Sequence, residues 1–287
     1  MTRLRQRIFS PGLMIGLLSV LFISTGASAQ GTSAKHFDRA IFVIFENTNY
    51  AAAMKQPFFA QLASNGANFT NFLAQTHPSQ ANYIALTAGS LGGVRDDRSV
   101  DVNLTNVVDL LEAKGLTWKV YAEGYPGNCF SGKSSGDYVR KHNPFISFNN
   151  IRTNAKRCAN IVEAAEFDSD LSRGILPNYV FYVPDLRNDG HDTGVAYANG
   201  WYEQKFSPLL NDTKFMKSTI VVSSFDESGF SAQNQIYTSI VGGPVKAGSY
   251  SDSLTHFSLL KMIEDNWSLG NLGRDDATAT GVPNIWH

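Results

Sequence analysis

Charge is scarce in this sequence, and neither sign dominates. Its 287 residues include 24 Lys and Arg and 25 Asp and Glu, and charged residues make up 17% of the chain against 43% hydrophobic residues. Disorder requires low hydrophobicity and high net charge, so it is excluded. Basic residues are not in excess, so the composition gives no indication that nucleic acid is a structural partner. Repeats and proline-rich linkers are also missing, and the length suits one large α/β domain or two small ones.

The one apolar run that raises the question of a membrane lies near the N terminus. Basic residues precede it, it extends over residues 13–23, and small residues follow up to Ala29. This order is typical of a secretory signal that is cleaved after Ala29. A bilayer span needs about 20 apolar residues, so an uncleaved anchor is the less favoured alternative. We expect a signal peptide over 1–29 and a secreted or periplasmic domain over 30–287, without stable membrane association after cleavage.

Cysteine is rare, since only Cys129 and Cys158 occur. An even pair in an exported chain most simply forms a disulfide, although two buried free thiols are an alternative. Closing a loop of about 30 residues contributes ~3.6 kcal/mol on the loop-entropy model. A catalytic cysteine is not expected in an oxidising compartment.

Apolar runs alternate with helical periodicity through the rest of the chain. Runs rich in β-branched and aromatic residues predict strands over 40–45, 118–122, 179–183, 219–223 and, more weakly, 236–241. Periodic apolar positions predict helices over 58–63, 79–88, 103–113 and 254–267. This alternation predicts an α/β fold with a doubly wound, mostly parallel sheet and helices on both faces. We expect a single domain in which residues 124–173, rich in Gly, Asn and Ser, form an elaborated loop region.

Side chains with oxygen or imidazole donors follow three of the predicted strands. In open α/β sheets, ligands bind beyond the carboxyl ends of the strands. Together the three clusters predict a divalent-metal site, because carboxylates and imidazoles are common ligands of such ions. Turn formation by Asp and Asn is the alternative for any one cluster. The clusters are Glu46 and Asn47; Asp185, Asn188, Asp189, His191 and Asp192; and Asp226 and Glu227.

A serine at the start of a predicted helix is the second chemical signal. Pro78 disfavours helix in the residue before it, so the helix begins after it and Ser79 lies at its amino end. Unpaired N–H groups and the helix dipole favour an anion there. Taken alone, Ser79 is best interpreted as an N-cap. Beside a metal site it becomes a candidate nucleophile, because a metal can lower the pKa of a coordinated hydroxyl.

Six short motifs carry a resemblance that spans residues 38–275. They are Phe45-Glu46-Asn47, the segment His77 to Tyr83, the segment Tyr138 to Phe145, the segment Asn188 to Asp192, Phe225-Asp226-Glu227 and the segment beginning Thr255-His256. In this order they resemble the phosphoesterase family, which contains secreted acid phosphatases and bacterial phospholipases C. That family belongs to the alkaline phosphatase superfamily, so the resemblance implies an alkaline-phosphatase-like α/β sandwich.

The resemblance also implies roles for the matching residues. Ser79 would be the nucleophile, and Asn82 and His142 would contact the substrate. A lone histidine such as His142 or His256 is otherwise more often a cap or a satisfied core residue. A divalent metal ion would be held by Glu46, Asn47, Asp226 and Glu227.

A second metal site is an open alternative. Nucleotide pyrophosphatases of the same superfamily carry Pro-Asp-x-x-Gly-His after a strand, and the corresponding stretch here, Pro184 to His191, is two residues longer. Asp185, His191 and His256 would form the second site. In a one-metal enzyme, His191 and His256 would instead be proton or hydrogen-bond donors.

We therefore expect a metal-dependent phosphatase that hydrolyses small phosphate monoesters through a phosphoserine, with His191 or His256 stabilising the leaving oxygen. A phosphodiesterase of the phospholipase C type is the first rival, although the known phospholipases look much longer. A non-enzymatic binding protein on a degenerate fold is the second. The sequence indicates nothing about oligomeric state.

Overall fold

The computed structural model describes residues 1–2, 35–229 and 233–287. Most of the predicted signal peptide lies outside these residues. The strands are β1 (Arg39–Phe45), β2 (Ala67–Phe69), β3 (Phe72–Leu73), β4 (Trp118–Ala122), β5 (Ser134–Ser135), β6 (Tyr138–Val139), β7 (Ile161–Glu163), β8 (Tyr179–Val183), β9 (Thr219–Phe225), β10 (Thr238–Gly242), β11 (Gly248–Tyr250) and β12 (Leu254–Thr255).

The α-helices alternate with these strands. They are α1 (Tyr50–Ala53), α2 (Pro57–Asn65), α3 (Gln80–Ala88), α4 (Val107–Ala113), α5 (Asn149–Arg152), α6 (Ala155–Cys158), α7 (Ala165–Ser172), α8 (Val195–Leu210), α9 (Thr213–Met216), α10 (His256–Asn266) and α11 (Asp275–Thr278). Short 3₁₀ helices cover Arg140–His142 and Pro144–Ser147.

Eight strands form one sheet in the order β11-β2-β10-β9-β1-β8-β4-β7. β1 lies between β8 and β9 and runs parallel to both, and β4 and β7 continue the parallel set beyond β8. β10 is antiparallel to β9 and to β2. Every residue of β8 and β9 is buried, which explains why these strands are continuous apolar runs in the sequence. The predicted α/β class with a mostly parallel sheet is confirmed.

The register of the central strands determines which side chains meet at the sheet edge. Phe45, the last residue of β1, lies opposite Phe225, the last residue of β9. Glu46 and Asp226 therefore leave the sheet at the same level. β8 runs parallel on the other side of β1, so the segment after it reaches the same edge.

An aromatic cluster packs α2 and α8 against the strands that carry this edge. The ring centroid of Phe45 lies 5.0 Å from that of Phe59 on α2 and 4.9 Å from that of Tyr202 on α8. The Phe225 ring lies 5.4 Å from Phe45. Such pairs contribute about 0.5–1.5 kcal/mol each beyond the burial of their area. The ends of β1 and β9 are thus held by close packing.

Some element bounds differ from the predicted ones for local reasons. The helix predicted over 103–113 begins at Val107 because Asn106 caps it, with its Oδ1 accepting from the N–H of Val108 at 3.0 Å. The helix predicted over 254–267 begins at His256 because β12 pairs with β3 instead.

The segment 124–173 contains several short elements. They include the β5–β6 pair, α5, α6 and α7, and β7, which pairs with β4 at the sheet edge. Cys129 and Cys158 form the predicted disulfide, with Cα atoms 5.6 Å apart. Among the described residues, no helix has both the length and the apolar character of a membrane span.

Candidate active site

Glu46 and Asp226 meet where the central strands end. Backbone hydrogen bonds fix both residues: the N–H of Glu46 donates to the carbonyl of Asp189 at 3.0 Å, and that of Asp226 to Phe45 at 2.9 Å. The N–H of Asn47 donates to Asp226 Oδ1 at 3.2 Å. Asn47 has a φ of 47°, a left-handed conformation that asparagine adopts more readily than most residues. Both carboxylates are buried.

Ser79 directs its hydroxyl at these carboxylates. Its Oγ lies 2.9 Å from Glu46 Oε2 and 3.5 Å from Glu227 Oε1. Within the described part of the chain its side chain makes no capping bond to α3. The first amide of that helix, the N–H of Gln80, donates instead to Asp97 Oδ1 at 3.0 Å. Ser79 thus stands at the N-cap position, but its side chain does not cap α3, and its hydroxyl donates to Glu46 in the carboxylate cluster.

His142 is buried between two carboxylates. Its Nε2 lies 3.0 Å from Glu46 Oε1, and its Nδ1 lies 3.0 Å from Asp189 Oδ2. The Tyr83 ring stacks on the imidazole at 5.3 Å, and the Tyr83 hydroxyl donates to Glu46 Oε1 at 2.8 Å. A neutral imidazole carries one N–H, so it can donate to only one of the two carboxylates. Among the described residues, neither ring nitrogen of His142 meets hydrogen-bond geometry, so the two contacts are close approaches only. The role of His142 as a substrate contact stays a prediction.

Burial and mutual repulsion raise the pKa of the carboxyl groups at this site. Burial raises the pKa of Glu46 well above its usual range, and the charges of Asp226 and Asp189 raise it further. Burial raises the pKa of Asp226 as well, and it raises that of Glu227, beside Asp226, to about 8. Near neutral pH this cluster therefore takes up protons unless a cation offsets its charge.

The donor set suits a hard divalent cation. Carboxylate, amide and hydroxyl oxygens are the ligands that such ions prefer. In the described residues, Asp226 Oδ2 is buried without a hydrogen-bond partner, which is costly for a carboxylate oxygen. Among those described residues, no group of three or more His, Cys, Asp or Glu side chains is arranged so that it could hold a metal ion as it stands. By chemistry the residues fit a cation, and the ligand candidates are Glu46, Asn47, Asp226 and Glu227.

His191 lies next to this network. Its N–H donates to Asp189 Oδ1 at 2.7 Å, and its ring centroid lies 6.2 Å from that of His142. Its Nδ1 lies 2.7 Å from Asp192 Oδ1, and its side chain is 32% exposed. His191 therefore combines access to solvent with a place beside the buried histidine.

Three other predicted residues have their described contacts elsewhere. Asp185 Oδ1 accepts from the N–H groups of Arg187 and Asn188 at 3.0 and 2.9 Å, a turn-forming arrangement. Asn82 is buried, and its side chain bonds the backbone of the segment that leads to Ser79. His256 is buried, with Nε2 3.1 Å from the carbonyl of Phe225. Their roles in metal or substrate binding stay predictions.

The structure also gives contacts of residues for which the sequence predicts no individual role. Asp189 belongs to the second predicted ligand cluster, but its contact with His142 depends on the fold. His77 Nδ1 lies 2.9 Å from Glu227 Oε2. Lys141 Nζ lies 2.9 Å from Asp97 Oδ2, and the charges of Glu46 and Asp226 raise the Lys141 pKa against the effect of burial, which by itself lowers it. His77 lies two residues before Ser79 and Lys141 directly precedes His142, and this closeness in sequence was the only indication of a role for either.

Sequence comparison gives one family and several named relatives. The Phosphoesterase family model matches residues 30–270. A probable acid phosphatase of Kluyveromyces lactis is 37% identical over 283 residues, covering 90% of this chain and 66% of that protein. An acid phosphatase of Aspergillus fumigatus is 35% identical, covering 85% and 58%. A phosphatidylinositol-3-phosphatase of Mycobacterium tuberculosis is 30% identical, covering 100% and 97%. The chain thus spans less than two thirds of the length of these fungal relatives.

Solved structures share the architecture. A protein of the alkaline phosphatase superfamily from Vibrio parahaemolyticus superposes with a TM-score of 0.60 at 13% identity, covering 85% of this chain and 70% of that one. A phosphonate monoester hydrolase of Agrobacterium radiobacter gives 0.54 at 10% identity, covering 87% and 79%. At such identities the likeness shows the fold alone, and it agrees with the alkaline-phosphatase-like sheet.

Proposed function

The chain belongs to the phosphoesterase family, and from that membership and the site geometry we propose that it is a phosphoric ester hydrolase of the acid phosphatase type. Its substrates are small phosphate monoesters, and Ser79 is the nucleophile. The relatives named above are called phosphatases, which supports monoesters over the diesters that a phospholipase C cleaves. Export, which we propose from the N-terminal sequence, agrees with the disulfide.

The position of the Ser79 hydroxyl is the observation that carries this proposal. A serine at the start of a helix ordinarily bonds that helix, and here Asp97 takes the first amide while Ser79 Oγ lies 2.9 Å from Glu46 Oε2. A carboxylate at that distance accepts a hydrogen bond from the hydroxyl and is placed to take its proton. This arrangement suits a nucleophile that must lose its proton before it attacks.

The chemistry also requires positive charge. A divalent cation bound by Glu46, Asn47, Asp226 and Glu227 would lower the pKa of the serine hydroxyl and offset the charge on the phosphoryl oxygens. Lys141 contributes a fixed positive charge whose field reaches Glu46 and Asp226. The amino end of α3 offers the phosphoryl group fewer backbone N–H donors than the sequence predicts. The N–H of Gln80 donates to Asp97, and that of Asn82 donates to the carbonyl of Ser79.

The reaction proceeds in two displacements at phosphorus. Ser79 Oγ forms a bond to phosphorus as the bond to the ester oxygen breaks, and the departing alkoxide takes a proton from His191, the partly exposed histidine beside the site. Water then attacks the phosphoserine and gives a proton to His191, which regains its starting form. The serine oxygen leaves phosphorus and takes back the proton that Glu46 accepted. The Tyr83 hydroxyl holds Glu46 by a hydrogen bond through both steps, and the His142 imidazole lies 3.0 Å from both Glu46 and Asp189.

Replacing the nucleophile tests the assignment. Ser79→Ala should lower the release of phosphate from phenyl phosphate by about a thousandfold or more, while the thermal midpoint stays within a few degrees. Ser64→Ala, at an exposed position on α2, is the matched control and should behave as wild type. Acid quenching during turnover of a radiolabelled ester should leave label on the peptide that contains Ser79. Retention of more than a tenth of the activity by Ser79→Ala would refute the nucleophile.

The substrate rival and the non-catalytic rival have separate outcomes. Faster turnover of a phosphodiester such as bis(4-nitrophenyl) phosphate than of the monoester would favour the phospholipase C type. A correctly folded protein that hydrolyses neither ester would favour a binding protein.

A further inference from the structure

A cavity of about 520 Å³ is lined in part by Gln80 and Lys141, the sequence neighbours of Ser79 and His142. We call it the cationic groove, and its lining includes Gln80, Asp97, Arg98, Lys133 and Lys141. Three of these five residues are cations and one is an acid. The carboxylate cluster that holds Ser79 has the opposite character, so charge changes sign between the two regions.

The groove adjoins the reacting serine through the chain itself. Gln80 directly follows Ser79, and Lys141 directly precedes His142, which lies 3.0 Å from Glu46. A substrate whose phosphoryl group meets Ser79 therefore has the groove as a neighbouring space for its alcohol part. Small-molecule sites occupy roughly 300–1,000 Å³, so the volume suits a leaving group of sugar or polyol size.

The inner wall of the groove is fixed by hydrogen bonds. Asp97 accepts from the N–H of Gln80 through Oδ1 at 3.0 Å and from Lys141 Nζ through Oδ2 at 2.9 Å. Gln80 Nε2 donates to the carbonyls of Asp96 and Arg98, both at 2.8 Å. These contacts tie the loop over 96–98 to the start of α3, so the wall is organised before any ligand binds.

The outer wall offers exposed cations. Lys133 is exposed, and among the described residues no carboxylate forms an ion pair with it. The Arg98 side chain is 87% exposed and pairs with Asp96 at 2.7 Å. Exposed charges of this kind contribute modestly and are screened by salt, so their effect on a bound anion should fall as ionic strength rises.

Building on the proposed function, we infer that the cationic groove binds a second anionic group on the leaving alcohol. The preferred substrates are then phosphate monoesters of small polyols that carry a further phosphate or carboxylate. A simple aryl phosphate has no second anionic group for the groove and gains nothing from Arg98 or Lys133.

Two sugar phosphates that differ by one phosphate provide the test. For the wild type at low ionic strength, kcat/KM for fructose 1,6-bisphosphate should exceed that for fructose 6-phosphate by about tenfold, of which a factor of two is statistical. In the double variant Arg98→Gln/Lys133→Gln this ratio should fall to about two, through KM, while kcat/KM for phenyl phosphate stays within twofold. Addition of 0.5 M NaCl to the wild type should lower the ratio in the same direction.

A matched pair of exposed lysines outside the groove gives the control. Lys114→Gln/Lys156→Gln removes the same charge from the surface and should keep the ratio of the wild type. A ratio of about two in the wild type, or an unchanged ratio in the groove variant, would overturn the inference while phenyl phosphate is still hydrolysed. Failure to hydrolyse any of the three esters would refute the proposed function as well, so the two failures are distinguishable.

Discussion

Glu264 is a buried carboxyl group away from the candidate active site, and its ionisation should change the stability of the fold. It lies on α10 with 2% of its surface exposed, and among the described residues its Oε1 is buried without a hydrogen-bond partner. Asp276 is its buried acidic neighbour, and its two oxygens accept from the N–H groups of Leu272 and Arg274. Burial, then the charge of Asp276 and a hydrogen bond with it, raise the pKa of Glu264 to about 8.

Because folding raises the pKa of Glu264, the free energy of unfolding falls as the pH rises. A carboxyl group with a raised pKa stabilises the fold fully below its ordinary pKa of about 4.3, and that stability is lost as the pH rises through about 8. One pKa unit corresponds to about 1.4 kcal/mol, so the upper bound is about 5 kcal/mol. Relaxation around the ionised group reduces this figure, and we expect a loss of about 2 kcal/mol between pH 5 and pH 8.5.

Glu264→Gln should remove this loss, because glutamine has a similar shape and does not ionise. Urea unfolding followed by tryptophan fluorescence at several pH values would measure it. Relative to wild type, the variant should gain about 2 kcal/mol in free energy of unfolding from pH 5 to pH 8.5. Glu203→Gln on the exposed side of α8 is the control and should change nothing. If the free energy of unfolding of Glu264→Gln and that of the wild type change with pH in parallel, Glu264 is not a buried, protonated carboxyl group.

Further predictions concern the site and the disulfide. Asp189→Asn should lower kcat for phenyl phosphate about tenfold with little change in KM, because His142 loses the carboxylate that lies 3.0 Å from its Nδ1; an unchanged kcat would contradict this. Chelation should abolish phosphate release, and adding back a divalent ion should raise the thermal midpoint, since a ligand of the folded state stabilises it; a midpoint that ignores the ion would argue against a resident metal. Cys129→Ser/Cys158→Ser should lower the free energy of unfolding by about 3 kcal/mol in a urea titration, and a loss below about 1 kcal/mol would contradict the loop-entropy argument.

The parts of the fold that the sequence predicts are those with a strong local signal. The central strands are continuous apolar runs because both of their faces are buried. The longest described helix, α8, was missed although Ala198, Tyr202 and Phe206 recur on its buried face. Gly200 and Pro208 lie within it, and both lower the helical tendency of the isolated sequence. Packing of its aromatic face against α2 and the sheet overrides that tendency.

Very short strands cannot be predicted from periodicity. β2 and β11 have three residues each, too few for an alternating pattern to be visible. Their place is determined by pairing with each other and by the pairing of β2 with β10, which is distant in the sequence. Such pairing depends on the folded sheet, and no local sequence pattern predicts it.

Some residues of the candidate site were predictable from the sequence, and others depend on contacts made only in the fold. Glu46 and Asp226 were predictable because each follows an apolar run, and the sheet register brings them together. The missing cap bond of Ser79 was not predictable, because Ser79 has a helical backbone conformation (φ −44°, ψ −55°) where a capping residue is usually extended. The carboxylate that accepts from its hydroxyl lies 33 positions away in the sequence. The contact of His142 with Asp189 likewise joins the segment before α5 to the segment after β8.

The buried charge at this site has one further consequence. Lys141 is a cation whose field acts on Glu46, Asp189, Asp226 and Glu227 together. A single positive charge cannot neutralise four carboxylates, so the remaining charge is balanced by protons or by a bound cation. If a cation occupies the cluster, it displaces those protons, and its affinity weakens as the pH falls. Lys141 lessens the number of protons that the cation must displace, because its fixed positive charge already offsets part of the carboxylate charge. His142 adds no such charge near neutral pH, because burial lowers the pKa of its imidazole well below the usual range.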